Sequence, residues 1–219
     1  MNATKIRLVY VTSSSYKAEE NKLLADRCTL GDGTRVCDRF AFEIRMLPIL
    51  ETLEVELRTM VQAEVTTAYS QIRVPCFVEH AGLVFDEFRS ASYPGGLTKP
   101  MWNALGDDFI RETNSAGRRA IARAVVAYCD GMDVHTFVGE TPGTLADAPR
   151  GQRTFYWDTV FQPDDPDGRN QGKTYAEIVE DAALGLSYKV TMLSQSTKAV
   201  LKMLEYLVKT PRSRFWVGA

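Results

Sequence analysis

The sequence predicts an α/β fold. Three observations predict it. An apolar, β-branched run at residues 6–11 passes through a serine turn into helical spacing, the middle of the chain is rich in strand-like runs, and an amphipathic stripe lies near its end. Strands and helices alternate early, with strands gathered at 120–129 and 134–138.

Residues 6–11 read as a buried strand, because they are apolar without alternation. Ser13, Ser14 and Ser15 are a turn or helix-cap signal, and 18–26 continue as a helix. Residues 40–47 read as a second strand, stopped by Pro48. Between 52 and 70, Leu53, Leu57, Met60, Val61, Val65 and Ala68 recur at helical spacing. Residues 75–78 form a short strand that enters the segment Glu79-His80. Pro94-Gly95-Gly96 marks a turn, and 99–117 read as broken helix. The strands 120–129 and 134–138 join through Asp130-Gly131. Residues 141–153 read as loop, 163–172 as a polar loop, and 175–183 as a short helix. The last helix carries Val190, Leu193, Thr197, Val200, Leu201, Leu204 and Val208 on one stripe. No repeat or linker divides the chain, so one domain is expected over 1–210, followed by a tail at 211–219.

At 219 residues and 45% hydrophobic content, the chain suits one domain or one domain with two lobes. A net charge of -2 argues against nucleic acid as the main ligand, which would favour a basic surface. No apolar run approaches a membrane span, and the start leads straight into a strand without a secretory signal, so a cytoplasmic protein is expected. Cys28, Cys37, Cys76 and Cys129 are scattered with no Cys-x-x-Cys pair, which argues against a zinc site or a disulfide framework.

Four segments carry chemistry. The first is Thr12-Ser13-Ser14-Ser15-Tyr16-Lys17. A strand running into a serine turn and a helix presents free backbone N–H groups and the positive end of the helix dipole, and Lys17 adds a charge. Alone, it reads as a helix cap followed by a surface lysine. The second is Glu79-His80-Ala81-Gly82-Leu83, with Asp86 beyond it, and Glu51-Thr52 lies upstream. The third is Phe155-Tyr156-Trp157-Asp158, and the fourth Ser187-Tyr188-Lys189. In this order they resemble the Ham1/ITPase family of pyrophosphatases, which remove inosine- and xanthosine-type (non-standard purine) nucleoside triphosphates.

The resemblance implies a long twisted mixed sheet with two lobes flanking a nucleotide cleft, and a homodimer. It implies that Thr12, Ser13, Ser14 and Lys17 hold the triphosphate, although Ser13 and Ser14 stand where the family has Gly-Asn. Glu51 and Glu79 would hold Mg²⁺, with the helix-start reading of Glu51 equally open and Glu54 or Glu56 able to take its role. Glu79, His80 and Asp86 would be the catalytic set. Magnesium prefers hard oxygen ligands, so His80, standing where the family has an acidic residue, either merely hydrogen-bonds in a partly buried loop, keeps a phosphate contact without hydrolysis, or recruits a softer ion such as Mn²⁺. Phe155, Tyr156, Trp157 and Asp158 would lie against the base, with Tyr156 in place of a glycine. Ser187, Tyr188 and Lys189 fall on the family's Ser-His-Arg, and Ala183 on its upstream lysine.

Two functions follow as expectations. One is a sensor that binds deoxyinosine or inosine triphosphate with little hydrolysis and passes the signal to an effector, such as a SIR2-type NADase in antiphage defence. The other is a working Mg²⁺-dependent pyrophosphatase that makes the nucleoside monophosphate and pyrophosphate. The substitutions at His80, Ala183, Tyr188 and Lys189 tilt the balance towards the sensor. The basic aromatic tail, with Arg212, Arg214, Phe215 and Trp216, reads either as a docking arm for such a partner or as a frayed terminus.

Overall fold

The computed structural model describes residues 5–152 and 155–210. Its frame is a six-stranded mixed sheet of order β2-β1-β3-β4-β5-β6. β1 (Ile6–Thr12) pairs in parallel with β2 (Phe40–Met46) on one edge and β3 (Cys76–Phe85) on the other. From β3 onward the sheet is antiparallel, through β4 (Arg119–Cys129), β5 (Val134–Leu145) and the short β6 (Phe161–Pro163). β1 is flanked by strands on both edges and covered on both faces, which is why its apolar run does not alternate.

Eight α-helices accompany the strands among the described residues. α1 (Ser15–Arg27) follows β1, and the single turn α2 (Val36–Arg39) precedes β2. α3 (Leu57–Ile72) leads into β3, and α4 (Thr98–Leu105) and α5 (Phe109–Glu112) separate β3 from β4. α6 (Tyr175–Glu180), α7 (Gly185–Tyr188) and α8 (Gln195–Lys209) close the chain. α3 covers one face of the sheet, where Leu57, Met60, Val61, Val65 and Ala68 meet Val9, Val11, Val78 and Val125. On the other face Leu24 of α1 and Val200, Met203 and Leu204 of α8 pack with Leu8, Tyr10, Phe77 and Leu83. Each such side chain, fully buried, contributes about 1.5–3 kcal/mol. No described helix is long and apolar enough to cross a membrane, and all four cysteines are free thiols.

β3, expected as a short strand at 75–78, runs ten residues to Phe85. Three further elements differ from the sequence expectation, each for a local reason. The helix expected from residue 52 starts at Leu57, because the Glu56 carboxylate accepts the Arg58 backbone N–H as its cap, and Leu53 is left exposed. Residues 141–145, expected as loop, extend β5. Two glycines of β5 are there for close approach. A Cβ on Gly139 would lie 2.0 Å from the Gln195 carbonyl, and one on Gly143 2.3 Å from that of Gln162. The last helix is not continuous. After α7, residues Lys189–Leu193 make a π-turn, and Ser194 then caps α8 by accepting from the Thr197 N–H.

The Pro94-Gly95-Gly96 segment docks directly on β3. Thr98 Oγ1 accepts from the Leu83 N–H at 2.9 Å and donates to the Gly95 carbonyl at 2.7 Å. A Cβ on Gly82 would lie 2.1 Å from that same carbonyl oxygen, with no flexible side chain to give way. Gly82→Ala is therefore expected to lower unfolding stability by about 1–3 kcal/mol, the usual cost of overpacking. A urea midpoint equal to that of the unmutated protein would show that the contact relaxes freely.

Candidate functional site

The cleft forms at the carboxyl end of β1. That strand stops at Thr12, while its neighbour β3 continues through Glu79 and His80. β2 lies on one side of β1 and β3 on the other, so this is the point where the strand order reverses, the usual ligand crevice of an α/β sheet. The cavity has a volume of about 510 Å³. Thr12, Ser13, Ser14 and Lys17 line it, together with Glu51, Glu64, Glu79, His80, Lys99 and the wall Phe155-Tyr156-Trp157.

The serine turn is built as a helix N-terminus. Thr12 Oγ1 accepts the Ser14 N–H at 3.1 Å, and Ser14 Oγ caps α1 by accepting the Lys17 N–H at 3.3 Å. Ser13 and Ser15 stay exposed at the mouth of the cleft. The Lys17 ammonium reaches across to β3, where it donates to the Glu79 carbonyl at 3.0 Å and lies 3.5 Å from Glu79 Oε1. Helix dipole and ammonium together suit an anion such as a phosphate.

Glu79 and His80 point to opposite faces of the sheet, as adjacent strand residues must. Glu79 Oε1 accepts from Ser196 Oγ on α8 at 2.7 Å, whereas its Oε2 is buried with no hydrogen-bond partner. His80 turns towards α3, with Nδ1 3.4 Å from Glu64 Oε1. Glu51 pairs with Lys99 at 2.6 Å. Burial opposes ionisation of Glu51, but the hydrogen bond from Lys99 and the nearby positive charge win and hold its carboxyl below the ordinary range. The Lys99 ammonium also lies 5.5 Å from the centre of the Tyr156 ring. Phe155 stacks on Tyr16 at 5.1 Å, and Tyr156 meets Phe155 edge-on at 5.0 Å. The two rings of this wall stand at 73° to one another, and Phe155 packs on Tyr16 of the helix that the serine turn caps.

Several residues expected at the site lie elsewhere. Asp86 is exposed in a 3₁₀ turn beyond the end of β3, roughly 20 Å of extended chain from His80. Ser187 is exposed on α7. The Tyr188 hydroxyl donates to Asp165 at 2.9 Å, and its ring lies under the Arg169 guanidinium, outside the cleft. Lys189 and Asp158 are together but behind the wall. The Lys189 ammonium lies 2.5 Å from Asp158, 3.1 Å from Glu20 and 2.8 Å from the Tyr16 hydroxyl, in a site closed to solvent. Burial alone would discharge this lysine, but Asp158 and Glu20 outweigh it and hold the amine charged. Burial also pushes the Glu20 carboxyl upward. Lys189 opens the π-turn at Lys189–Leu193, and its ammonium is committed to this cluster behind the aromatic wall. Trp157 remains part of the cleft lining, with its side chain fully buried and edge-on to Phe161 at 5.9 Å.

The profile of the Ham1 family matches residues 8–206. The chain belongs to the Ham1 family. An inosine triphosphate pyrophosphatase of Kluyveromyces lactis is 28% identical over 211 residues, covering 94% of this chain and 98% of that protein. A dITP/XTP pyrophosphatase of Hyperthermus butylicus is 27% identical over 173 residues, 78% of this chain and 82% of its own. A solved HAM1 protein from Coxiella burnetii superimposes with a TM-score of 0.62 at 18% identity, covering 92% of this chain and 99% of that one, which shows the shared fold. The α/β sheet expected from the sequence is thus the Ham1 sheet.

Sequence reasoning missed Glu64, Lys99, Tyr16, Glu20 and Ser196. Glu64 had a readable signal, because a carboxylate there falls on the apolar stripe of Met60, Val61, Val65 and Ala68 that α3 buries. The lysine cluster makes a separate prediction. Lys189→Met leaves two buried carboxylates without their cation and is expected to cost about 3–5 kcal/mol of stability. Thermal and urea unfolding measure this, and a loss below about 1 kcal/mol would show that the cluster does not hold the charge.

Proposed function

We propose that this Ham1-family cleft binds an inosine- or xanthosine-type purine nucleoside triphosphate with a divalent cation, deoxyinosine triphosphate first, and hydrolyses it to the nucleoside monophosphate and pyrophosphate. The observation that carries the reading is the juxtaposition of the α1 N-terminus, Lys17 and the unpaired Glu79 Oε2 in one cleft walled by Phe155 and Tyr156. The serine turn and Lys17 receive the phosphate chain. The aromatic wall lies where the base stacks, which contributes affinity without reading base identity. In the reaction, a water oxygen bonds to the α-phosphorus, the bond from that phosphorus to the α–β bridging oxygen breaks, and pyrophosphate leaves.

The donor set suits a cation. Glu79 offers a buried, unpartnered carboxylate oxygen, and Glu51 lines the same cleft. These two residues would hold Mg²⁺, which neutralises phosphate charge and polarises the α-phosphate when bound. With Lys17 and Lys99 against Glu51, Glu64 and Glu79, the cleft does not by itself neutralise a triphosphate. His80 supplies no second carboxylate beside Glu79, so turnover with Mg²⁺ is expected to be slow.

Pyrophosphate release from deoxyinosine, inosine, adenosine and guanosine triphosphates tests the reading. Slow release confined to the first two is the expected result, and no binding of any of them by calorimetry in folded protein with Mg²⁺ would sink it. Lys17→Ala is expected to weaken triphosphate binding by about 1.5–3 kcal/mol while leaving nucleoside binding nearly unchanged. His80→Asp is expected to raise Mg²⁺-dependent turnover on the order of 10²-fold, and no gain would move the defect to the altered wall at Tyr156.

One observation favours a second reading. His80 is turned to Glu64, and Tyr188 and Lys189 are committed to contacts outside the cleft, so a protein that retains the pocket with little chemistry would act as a nucleotide sensor. Such a sensor needs an effector partner, and the antiphage NAD-consuming effector belongs to this proposal, as does a homodimer. The tail 211–219 lies outside the described residues. Co-purification with neighbouring gene products, with and without residues 211–219 and deoxyinosine triphosphate, tests it. Turnover of about 1–10³ s⁻¹, or no nucleotide-dependent partner, removes the sensor account.

A further inference from the structure

The contact between Glu64 and His80 has an unusual form for a buried ion pair. Both side chains are only 7% exposed, and Nδ1 stands 3.4 Å from Oε1. Yet the two are not joined by a hydrogen bond, because Glu64 Oε1 is without a hydrogen-bond partner. A buried carboxylate oxygen left unpaired is costly and calls for a partner the protein chain does not supply. Both side chains line the cleft. Two metal–ligand bonds of about 2.0–2.2 Å place their donor atoms about 2.8–3.1 Å apart at an octahedral angle and about 3.3–3.6 Å apart at a tetrahedral one. The Nδ1–Oε1 separation of 3.4 Å falls in the tetrahedral range.

We infer that Glu64 and His80 form a mixed oxygen–nitrogen metal position of their own beside Glu79, taking a divalent transition-metal ion of the Mn²⁺ class in preference to Mg²⁺. An imidazole nitrogen is a poor ligand for the hard Mg²⁺ ion and a good one for first-row transition metals. The sheet geometry separates the two positions. Glu79 faces α1 and α8, while His80 faces α3, so a cation on the α3 side leaves both Glu79 oxygens free for a second ion. It also supplies the unpaired Glu64 Oε1 with a partner and brings positive charge to a cleft rich in carboxylates. The inference deepens the reading of the cleft as a cation-dependent nucleotide site and rests on it for its role in the reaction.

The test uses nucleotide-free full-length protein and Mn²⁺ alone, so it does not depend on turnover. Calorimetry with Mn²⁺, and with Mn²⁺ in competition with Mg²⁺, gives the preference of the unmutated protein. We expect Mn²⁺ to bind at least roughly 10-fold tighter, and Glu64→Gln and His80→Asn each to weaken Mn²⁺ by roughly 10-fold or more, the least that losing even an outer-shell partner costs a metal site. Mg²⁺ affinity changes little in either variant, and Glu79→Gln retains the Mn²⁺ preference. The chain has two histidines, so paramagnetic broadening of the imidazole signals locates the ion without any substitution. The His80 signals should broaden first. His135, which lies with Asp130 and Asp133 on the β4–β5 hairpin with ligand atoms within 4.8 Å of one another, is the internal control. Equal affinity for the two ions, a preference that survives Glu64→Gln, or broadening confined to His135 overturns the inference. Each of those results leaves Mg²⁺-dependent pyrophosphate release intact, and an absence of nucleotide turnover leaves the Mn²⁺ result standing.

Discussion

The site depends on one constraint, the unequal length of two neighbouring parallel strands. β1 ends at Thr12 with α1 rising immediately from its end, while β3 runs on through Glu79 and His80 to Phe85. The shortfall opens a crevice whose one wall is a helix N-terminus and whose floor is a strand still presenting side chains to both faces. In the register that sets Tyr10 beside Phe77, two further residues of β1 would lie beside His80 and Ala81 and move the serine turn away from Glu79. The sheet therefore supplies the coincidence of phosphate-type donors and carboxylates on which the cleft chemistry rests.

The wall opposite is held by a different force. Phe155 and Tyr156 are carried on a short 3₁₀ segment with little hydrogen bonding of its own, and their position comes from Asp158, Lys189, Glu20 and the Tyr16 hydroxyl behind them. Tyr16 belongs to both sides, because its ring stacks on Phe155 while its hydroxyl enters the charged cluster. The ionic cluster thus fixes the distance between the serine turn and the aromatic wall. Buried charges are a costly way to gain stability, but a directional one for holding a gap open.

Much of the fold was legible because its signals are local. A β-branched run bounded by turn residues is a buried strand wherever it lies, so residues 6–11 and 120–129 could be read directly, and the cap at Ser14 placed α1. The cleft residues found from sequence, Thr12 to Lys17, Glu79 and Phe155 to Trp157, are contiguous segments at strand or helix ends. What was not legible depended on tertiary approach. Lys99 and Ser196 reach the site from α4 and α8, and nothing in their own surroundings marks them. Lys189 was placed at the ligand because it falls on the arginine of the Ham1 Ser-His-Arg pattern, whereas its ammonium is committed to Asp158 and Glu20. Residues 141–145 were read as loop, whereas Gly143, like Gly139, lets β5 pass close to a neighbouring backbone, an approach that no local pattern announces.

Adjacent residues on a strand are close in sequence but occupy separate neighbourhoods. Glu79 answers to Lys17 and Ser196 on one side of the sheet, and His80 answers to Glu64 on the other. A change at position 80 is therefore felt first by the helix beneath it. The pleat lets one strand draw on two helices at once, so the polar surroundings of positions 79 and 80 are set separately, from α8 and from α3.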